Sequence, residues 1–163
     1  MNHVKQICIF GYDTLIGRHL EKEFMEMYPN ISLKFWQYKE PFQEYPNYSN
    51  ILYGFNSIGK AVCGCQLVFN VLDHRDLSLT PSRFKMCYIN ETIPMTLANE
   101  CQRNGNIPLI HLSTTLVQLS TKWPNVSGRE KDVNELNEKE IPFYFYTKSK
   151  INIEKYLTKC MFK

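Results

Sequence analysis

Apolar positions along this chain fall in short blocks, and the blocks alternate between two periods. Lys5 to Phe10 is rich in apolar and β-branched residues and reads as a buried strand. Leu15, Ile16, Leu20, Phe24 and Met27 then recur at helical spacing until Pro29 breaks the pattern. Ser32 to Trp36 reads as a second strand. Pro41 to Asn50 reads as a loop punctuated by Pro46 and Asn47, and Asn50 to Phe55 as a third strand. Asn56 to Cys63 fits a short helix, and Gln66 to Leu72 is a strong fourth strand. Phe84 to Asn104 carries helical periodicity through Met86, Ile89, Ile93, Leu97 and Cys101. A kink is expected at Pro94 and a stop at Asn104-Gly105-Asn106. Pro108 to Ser113 reads as a fifth strand, 120–140 as a polar loop, and Tyr146 to Cys160 as a closing helix.

Strands that are apolar throughout and alternate with helices predict an α/β fold. It is a Rossmann-like, doubly wound parallel sheet with helices on both faces, three layers in all. No internal repeat and no domain boundary is visible, so the chain reads as one domain. Its 163 residues suffice for one respectable core, and 44% hydrophobic with 21% charged residues is ordinary for a globular chain. A net charge of +3, with the charges dispersed, argues against nucleic acid as a partner. The six cysteines read as reduced and largely buried thiols. Cys63-Gly64-Cys65 has no matching Cys/His pair at zinc spacing, so no metal is expected. The start of the chain lacks a signal-peptide core, and no apolar run approaches a membrane span. The expectation is therefore a cytoplasmic protein without a transmembrane segment. The sequons at Asn30, Asn47, Asn90 and Asn125 then read as chance.

Between the first strand and the first helix stands Gly11-Tyr12-Asp13-Thr14-Leu15-Ile16-Gly17. Gly11 permits a sharp turn, and Gly17 allows close packing of the helix on the sheet. The helix start at Leu15 and Ile16 presents free N–H groups and partial positive charge to a diphosphate. The plain alternative is an ordinary strand-to-helix turn that contains glycines. A dinucleotide turn also uses a middle glycine, and Thr14 takes that place. Its side chain narrows the pocket, while its hydroxyl offers a donor to phosphate. The acidic residue expected after the second strand is missing. Gln37 is available for a ribose and Lys39 for a 2′-phosphate, or both are solvated surface residues.

The second chemical feature is Tyr146-Thr147-Lys148-Ser149-Lys150. Residues four apart share a helix face, so Tyr146 and Lys150 project together. An ammonium beside a phenol favours phenolate and suits the Tyr to acid/base work. Ser113-Thr114-Thr115 stands at the end of the fifth strand, where open α/β sheets bind ligands. Against this, Tyr-x-x-x-Lys is common by chance, and a Ser/Thr run also caps strand ends.

In this order, these landmarks resemble the N-terminal half of an extended short-chain dehydrogenase/reductase, in its 3β-hydroxysteroid dehydrogenase and sugar-epimerase/dehydratase branch. The Gly11–Gly17 turn is similar to the family's Gly-x-x-Gly-x-x-Gly. Gln66 to Val71 resembles its fourth strand, and Tyr88-Ile89-Asn90-Glu91-Thr92 its Asn-Val-x-Gly-Thr segment. Leu112 to Thr115 resembles its Thr-Ser-Ser strand end, and Tyr146 to Lys150 its Tyr-x-x-Ser-Lys. The resemblance implies Thr115 as the catalytic hydroxyl, Tyr146 as acid/base, Lys150 as the ribose-binding and tuning residue, and Asn90 as the helix asparagine. The other reading of Asn90 is a plain polar residue on an exposed helix face. The resemblance also implies NAD or NADP as cofactor, held by Gly11, Thr14, Leu15, Ile16, Gly17, Gln37, Asn56 and Lys150.

The departures sit at the cofactor end. They are Thr14 in the turn, no carboxylate before Glu40, Asn56 where an Asp is frequent, and Leu72-Asp73 where the family has small residues. Asp73 would repel a diphosphate if it faced the site. The resemblance also implies that the family's sixth strand and substrate lobe are missing after Lys163. Two functions follow: a dehydrogenase acting on a secondary alcohol of a small-molecule substrate, or a dehydrogenase-fold binding module without turnover. A sheet ending at the fifth strand would also leave an open edge, which favours a homodimer or instability.

Overall fold

The computed structural model describes residues 4–38, 50–118 and 141–161. The predicted loops at 41–49 and 120–140, with Lys39, Glu40, Asn47 and Asn125, lie outside the described residues. The rest gathers into two compact units, one of Met1–Asp73 with Ile93–Leu112 and one of His74–Thr92 with Ser113–Lys163.

The first unit is a five-stranded sheet with flanking helices. Its strands are β1 (Gln6–Phe10), β2 (Ser32–Gln37), β3 (Ile51–Tyr53), β4 (Leu67–Asn70) and β5 (Leu109–His111), in the order β3-β2-β1-β4-β5. Every pairing is parallel, as continuous apolar strands predict. β1 lies at the centre, with Phe10 opposite Trp36 on one side and Asn70 on the other. Strand side chains alternate between faces. Ile7 and Ile9, with Phe35 and Val71, form a core onto which Leu20 and Phe24 of α1 (Leu15–Met27) pack. Cys8 and Phe10 point the other way and are fully buried. Phe10 stacks on Trp36, ring centroids 5.0 Å apart. The helices α2 (Ile58–Val62) and α4 (Ile93–Arg103) complete this unit.

Several boundaries differ from the sequence reading for local reasons. The third strand stops at Tyr53 because Gly54 turns the chain at φ +79°, and a 3-10 turn over Phe55–Ser57 precedes α2. The predicted helix from Asn56 is therefore two pieces. Gln66 does not enter β4; its side-chain oxygen accepts the N–H groups of Lys5 and Gln6 at 2.9 and 2.8 Å. The fifth strand ends at His111, two residues before Ser113. Gly105 and Asn106 both take positive φ, and their N–H groups close on Gln102 O, so the predicted helix stop is present.

The second unit contains α3 (Arg83–Cys87), a π-helical turn over Tyr88–Thr92, a 3-10 turn over Thr115–Gln118 and α5 (Tyr144–Met161). At the position where a kink was expected, Pro94 is preceded along the chain by this π turn. Proline has no N–H and its ring crowds the carbonyl four residues back, so the ladder widens just before it. α5 starts at Tyr144, two residues earlier than predicted, after Phe143 at φ +46°. Its inner face carries Ile151, packed with Val117, Ile141 and Tyr144.

Candidate active site

In the first unit the candidate phosphate turn is built almost wholly by exclusion. Gly11 takes φ +91°, and a Cβ there would lie 2.9 Å from Leu72 N and 3.1 Å from Val71 C. The turn is pinned between strands, since Gly11 N–H donates to Trp36 O and Val71 N–H to Phe10 O, both at 2.9 Å. A Cβ on Gly17 would sit 2.3 Å from Gly11 O and 2.8 Å from Tyr12 Cα. Gly17 therefore serves close packing of the helix on its own turn, rather than on the sheet as the sequence suggested.

Thr14 is the N-cap of α1. Its Oγ1 accepts the Gly17 N–H at 3.0 Å and donates to Gly11 O at 2.7 Å. The hydroxyl proton is therefore engaged inside the turn rather than pointed at a phosphate. Arg18 N–H goes to Thr14 O. The helix-start donors outside these bonds are the N–H groups of Leu15 and Ile16, whose side chains are exposed. Gln37, half-buried, ends β2 opposite Tyr53, and Asn56 is exposed in the turn that follows β3. Asp73 is half-buried just beyond β4. The glycine turn and the two N–H groups fit a diphosphate. The capped Thr14 makes the cradle tighter than a glycine would.

In the second unit Tyr146 and Lys150 share one face of α5, as their spacing predicts. Both are about 1% exposed. Lys150 Nζ lies 5.9 Å from the Tyr146 ring centroid. Arg75, from the segment after β4, brings its guanidinium carbon to 5.7 Å from the same ring. Arg75 carries no sequence signal, because nothing in a one-dimensional pattern links it to a residue 71 positions away.

Asn90 is fully buried in the π turn, so it is not a polar residue on an exposed helix face. Its Oδ1 accepts the His74 N–H at 2.9 Å. Its Nδ2 donates to His74 O at 3.0 Å and to Ser149 Oγ at 3.2 Å. Ser149 Oγ in turn donates to Tyr146 O at 2.7 Å. One buried amide thus ties the segment after β4 to the helix turn that carries Tyr146 and Lys150. Ser149 was legible only as part of Tyr-x-x-Ser-Lys, not as the link to Asn90.

Thr115 stands apart from this network among the described residues: it is exposed at the head of the 3-10 turn. Its neighbours are committed locally. Ser113 Oγ donates to Glu154 Oε1, and Thr114 Oγ1 accepts the Leu116 N–H at 3.4 Å. Asp76 anchors the same segment as Arg75 by accepting N–H groups of Ser78 and Ser82 at 3.2 and 2.8 Å. Bonds from Ser78 and Ser82 hold its carboxyl below the usual range.

All six cysteines are free thiols. Cys8, Cys65 and Cys101 are buried and Cys160 is half-buried, while Cys63 and Cys87 are exposed, so fewer are buried than the pattern suggested. Burial pushes the Cys101 thiol up to about 12, outside reactive range. Among the described residues no group of three or more His, Cys, Asp or Glu is placed to hold a metal ion. Among them, too, no helix is long and apolar enough to cross a membrane.

No protein-family model matches the sequence. No curated protein matches it either. Solved structures do resemble it. A short-chain dehydrogenase/reductase superfamily protein from Agrobacterium tumefaciens with bound NAD superposes with a TM-score of 0.70 at 14% identity, over 93% of this chain and 44% of its own. MoeE5 in complex with UDP-glucuronic acid and NAD gives 0.71 at 15% identity, over 97% and 50%. The Bordetella bronchiseptica enzyme WbmH in complex with NAD+ gives 0.67 at 16% identity, over 96% and 52%. The chain spans about half the length of these structures. At such identities the likeness is one of fold, and the fold is the parallel, helix-flanked sheet that the strand pattern predicted.

Proposed function

We propose that this chain is the cofactor-binding and acid/base portion of an NAD(P)-dependent oxidoreductase of the extended short-chain dehydrogenase type. It would interconvert a secondary alcohol and its ketone in a steroid-like or sugar-nucleotide substrate. The observation that carries this reading is the buried Tyr146–Lys150 face of α5, tied through Ser149 to Asn90. The fold likeness to proteins solved with NAD, one of them also with UDP-glucuronic acid, supports it.

In this reading residues 1–163 act as one NAD(P)-binding domain. The Leu15 and Ile16 N–H groups hold the diphosphate at the positive end of α1, and the Gly11–Gly17 turn admits it. Gln37 and Asn56 bind the adenosine end. The nicotinamide supplies the hydride acceptor or donor. The Tyr146 hydroxyl takes the carbinol proton in oxidation and returns it in reduction, with Lys150 as the positive charge beside it and as a ribose ligand. Thr115 holds the substrate oxygen. Asn90 is a positioning residue that acts through Ser149 and the His74 backbone.

The test is Tyr146→Phe. Turnover falls by about 10²- to 10⁴-fold while calorimetric affinity for the nucleotide stays unchanged. Turnover that survives the change removes Tyr146 from the chemistry. A second reading, a dehydrogenase-fold binding module without turnover, is favoured by one observation: Thr14 closes the turn on itself. Titration with NADH and with NADPH separates the two. Micromolar binding of either supports the enzyme, and a folded chain that gives no heat supports the module.

A further inference from the structure

On the second unit, α3, the π turn and α5 line a half-open cavity of about 150 Å³. Its walls are Met86, which is buried, and Phe145. Its charged groups are Arg83, Lys148 and Glu91, and the exposed Cys87 thiol lines it too. Ser149, which ties Asn90 to the Tyr146 turn, lines it as well, so the cavity adjoins the proposed acid/base helix turn, but its other lining residues are not used by the proposed oxidoreductase. The volume is the size that accepts one six-membered ring, since an engineered apolar cavity of about that volume takes up benzene.

The charge arrangement selects the ligand. The Arg83 guanidinium carbon lies 3.9 Å from the Phe145 ring centroid, close enough for face contact. A guanidinium held on an aromatic face has lost little freedom to gain, and its N–H edge remains for a planar two-oxygen acceptor. Lys148 adds a second cation to the lining. The one carboxyl, Glu91, is turned to Asn152, whose Nδ2 donates to its Oε2 at 3.1 Å. Arg83 on the face of Phe145, beside an apolar floor and a carboxyl already engaged by Asn152, fits an anion with an apolar body.

We propose that this cavity binds a small carboxylate with a ring-sized apolar body, its carboxylate on the Arg83 guanidinium and its body against Met86 and Phe145. Cys87 serves as a reporter, because an occupant of the cavity shields its thiol.

The probe is benzoate, with benzyl alcohol and benzylamine as uncharged and cationic counterparts of the same size. Iodoacetamide labelling of the whole chain, read by peptide mapping, follows Cys87 with exposed Cys63 as internal control. Benzoate slows Cys87 labelling in a saturable way and leaves Cys63 unchanged. Calorimetry gives benzoate an affinity about tenfold or more above benzyl alcohol, and Arg83→Met removes that advantage. Equal protection by benzoate, benzyl alcohol and benzylamine overturns the proposal, as does no protection at all. So does sedimentation showing a dimer in which Cys87 is unreactive before any ligand is added, because the cavity would then be covered by a second copy. If Arg83→Met fails to fold, the benzoate and benzyl alcohol comparison on the unaltered chain decides. None of these readouts depends on nucleotide binding or turnover, so they stand or fall apart from the oxidoreductase reading.

Discussion

The glycine turn of the first unit and the Tyr146 helix of the second are both candidate functional regions, but opposite devices hold them. The turn is shaped by what is missing. Two absent Cβ atoms let backbone approach backbone, and the only side chain that matters, Thr14, spends its hydroxyl on that same backbone. The helix is shaped by what is present: a buried amide, a hydroxyl and a lysine brought together from distant stretches of chain. A turn made by exclusion tolerates no added atom. A network made by hydrogen bonds tolerates added atoms better than lost partners.

Four substitutions sharpen or break that contrast. The largest effect is expected from Gly17→Ala. A methyl 2.3 Å from Gly11 O cannot be relieved by rotating a side chain, so the turn must open. Urea unfolding should show a loss of about 3 kcal/mol or more, together with loss of nucleotide binding. A near-wild-type midpoint would mean that the turn is not built by exclusion.

Asn90→Leu comes next. It leaves the His74 N–H and C=O and one side of Ser149 without their partner. A loss of about 2–4 kcal/mol is expected, with faster hydrogen exchange at His74. Nucleotide affinity should be nearly unchanged. If affinity fell while stability held, Asn90 would belong to the cofactor site instead.

Thr14→Gly separates cap from cradle. Glycine is itself a tolerable N-cap, so stability should fall by only a few tenths of a kcal/mol, about the difference measured for such caps. Affinity for NADH or NADPH should rise several-fold, because the Gly17 N–H is released and the backbone can approach the diphosphate. Calorimetry checks it, and an affinity that falls would show that the hydroxyl contributes to binding.

The smallest effect is at Glu91. Burial raises its pKa, so the folded chain holds the proton more tightly than the unfolded chain. Stability therefore falls as pH climbs from the ordinary glutamate range through the raised value. Glu91→Gln should be slightly more stable near pH 7 and indistinguishable well below pH 4. Stability measured by urea at both pH values tests the sign, and a gain at low pH would contradict it.

Much of the first unit was legible in the chain. Apolar strands such as Ile7–Phe10 and Val68–Asn70 announced a parallel sheet buried on both faces, whereas the order β3-β2-β1-β4-β5 came only from the fold. Gly11 and Gly17 were visible as glycines, though not the atoms they spare. In the second unit, i and i+4 spacing placed Tyr146 beside Lys150 because a helix is a local object. The burial of Asn90, the approach of Arg75 to Tyr146 and the stacking of Arg83 on Phe145 carried no such signal.

Periodicity and glycine placement depend on interactions a few residues long, so the sequence by itself determined the elements, the parallel sheet, the helix stop at Gly105-Asn106 and the shared face of Tyr146 and Lys150. Tertiary structure decided which polar atoms are free. Asn90 Oδ1 is taken by the His74 N–H, 16 positions away, and its Nδ2 is spent on Ser149, 59 positions away. Both outcomes follow from the demand that a buried polar group be satisfied by whatever the fold brings within about 3 Å, and only the folded chain specifies what that is.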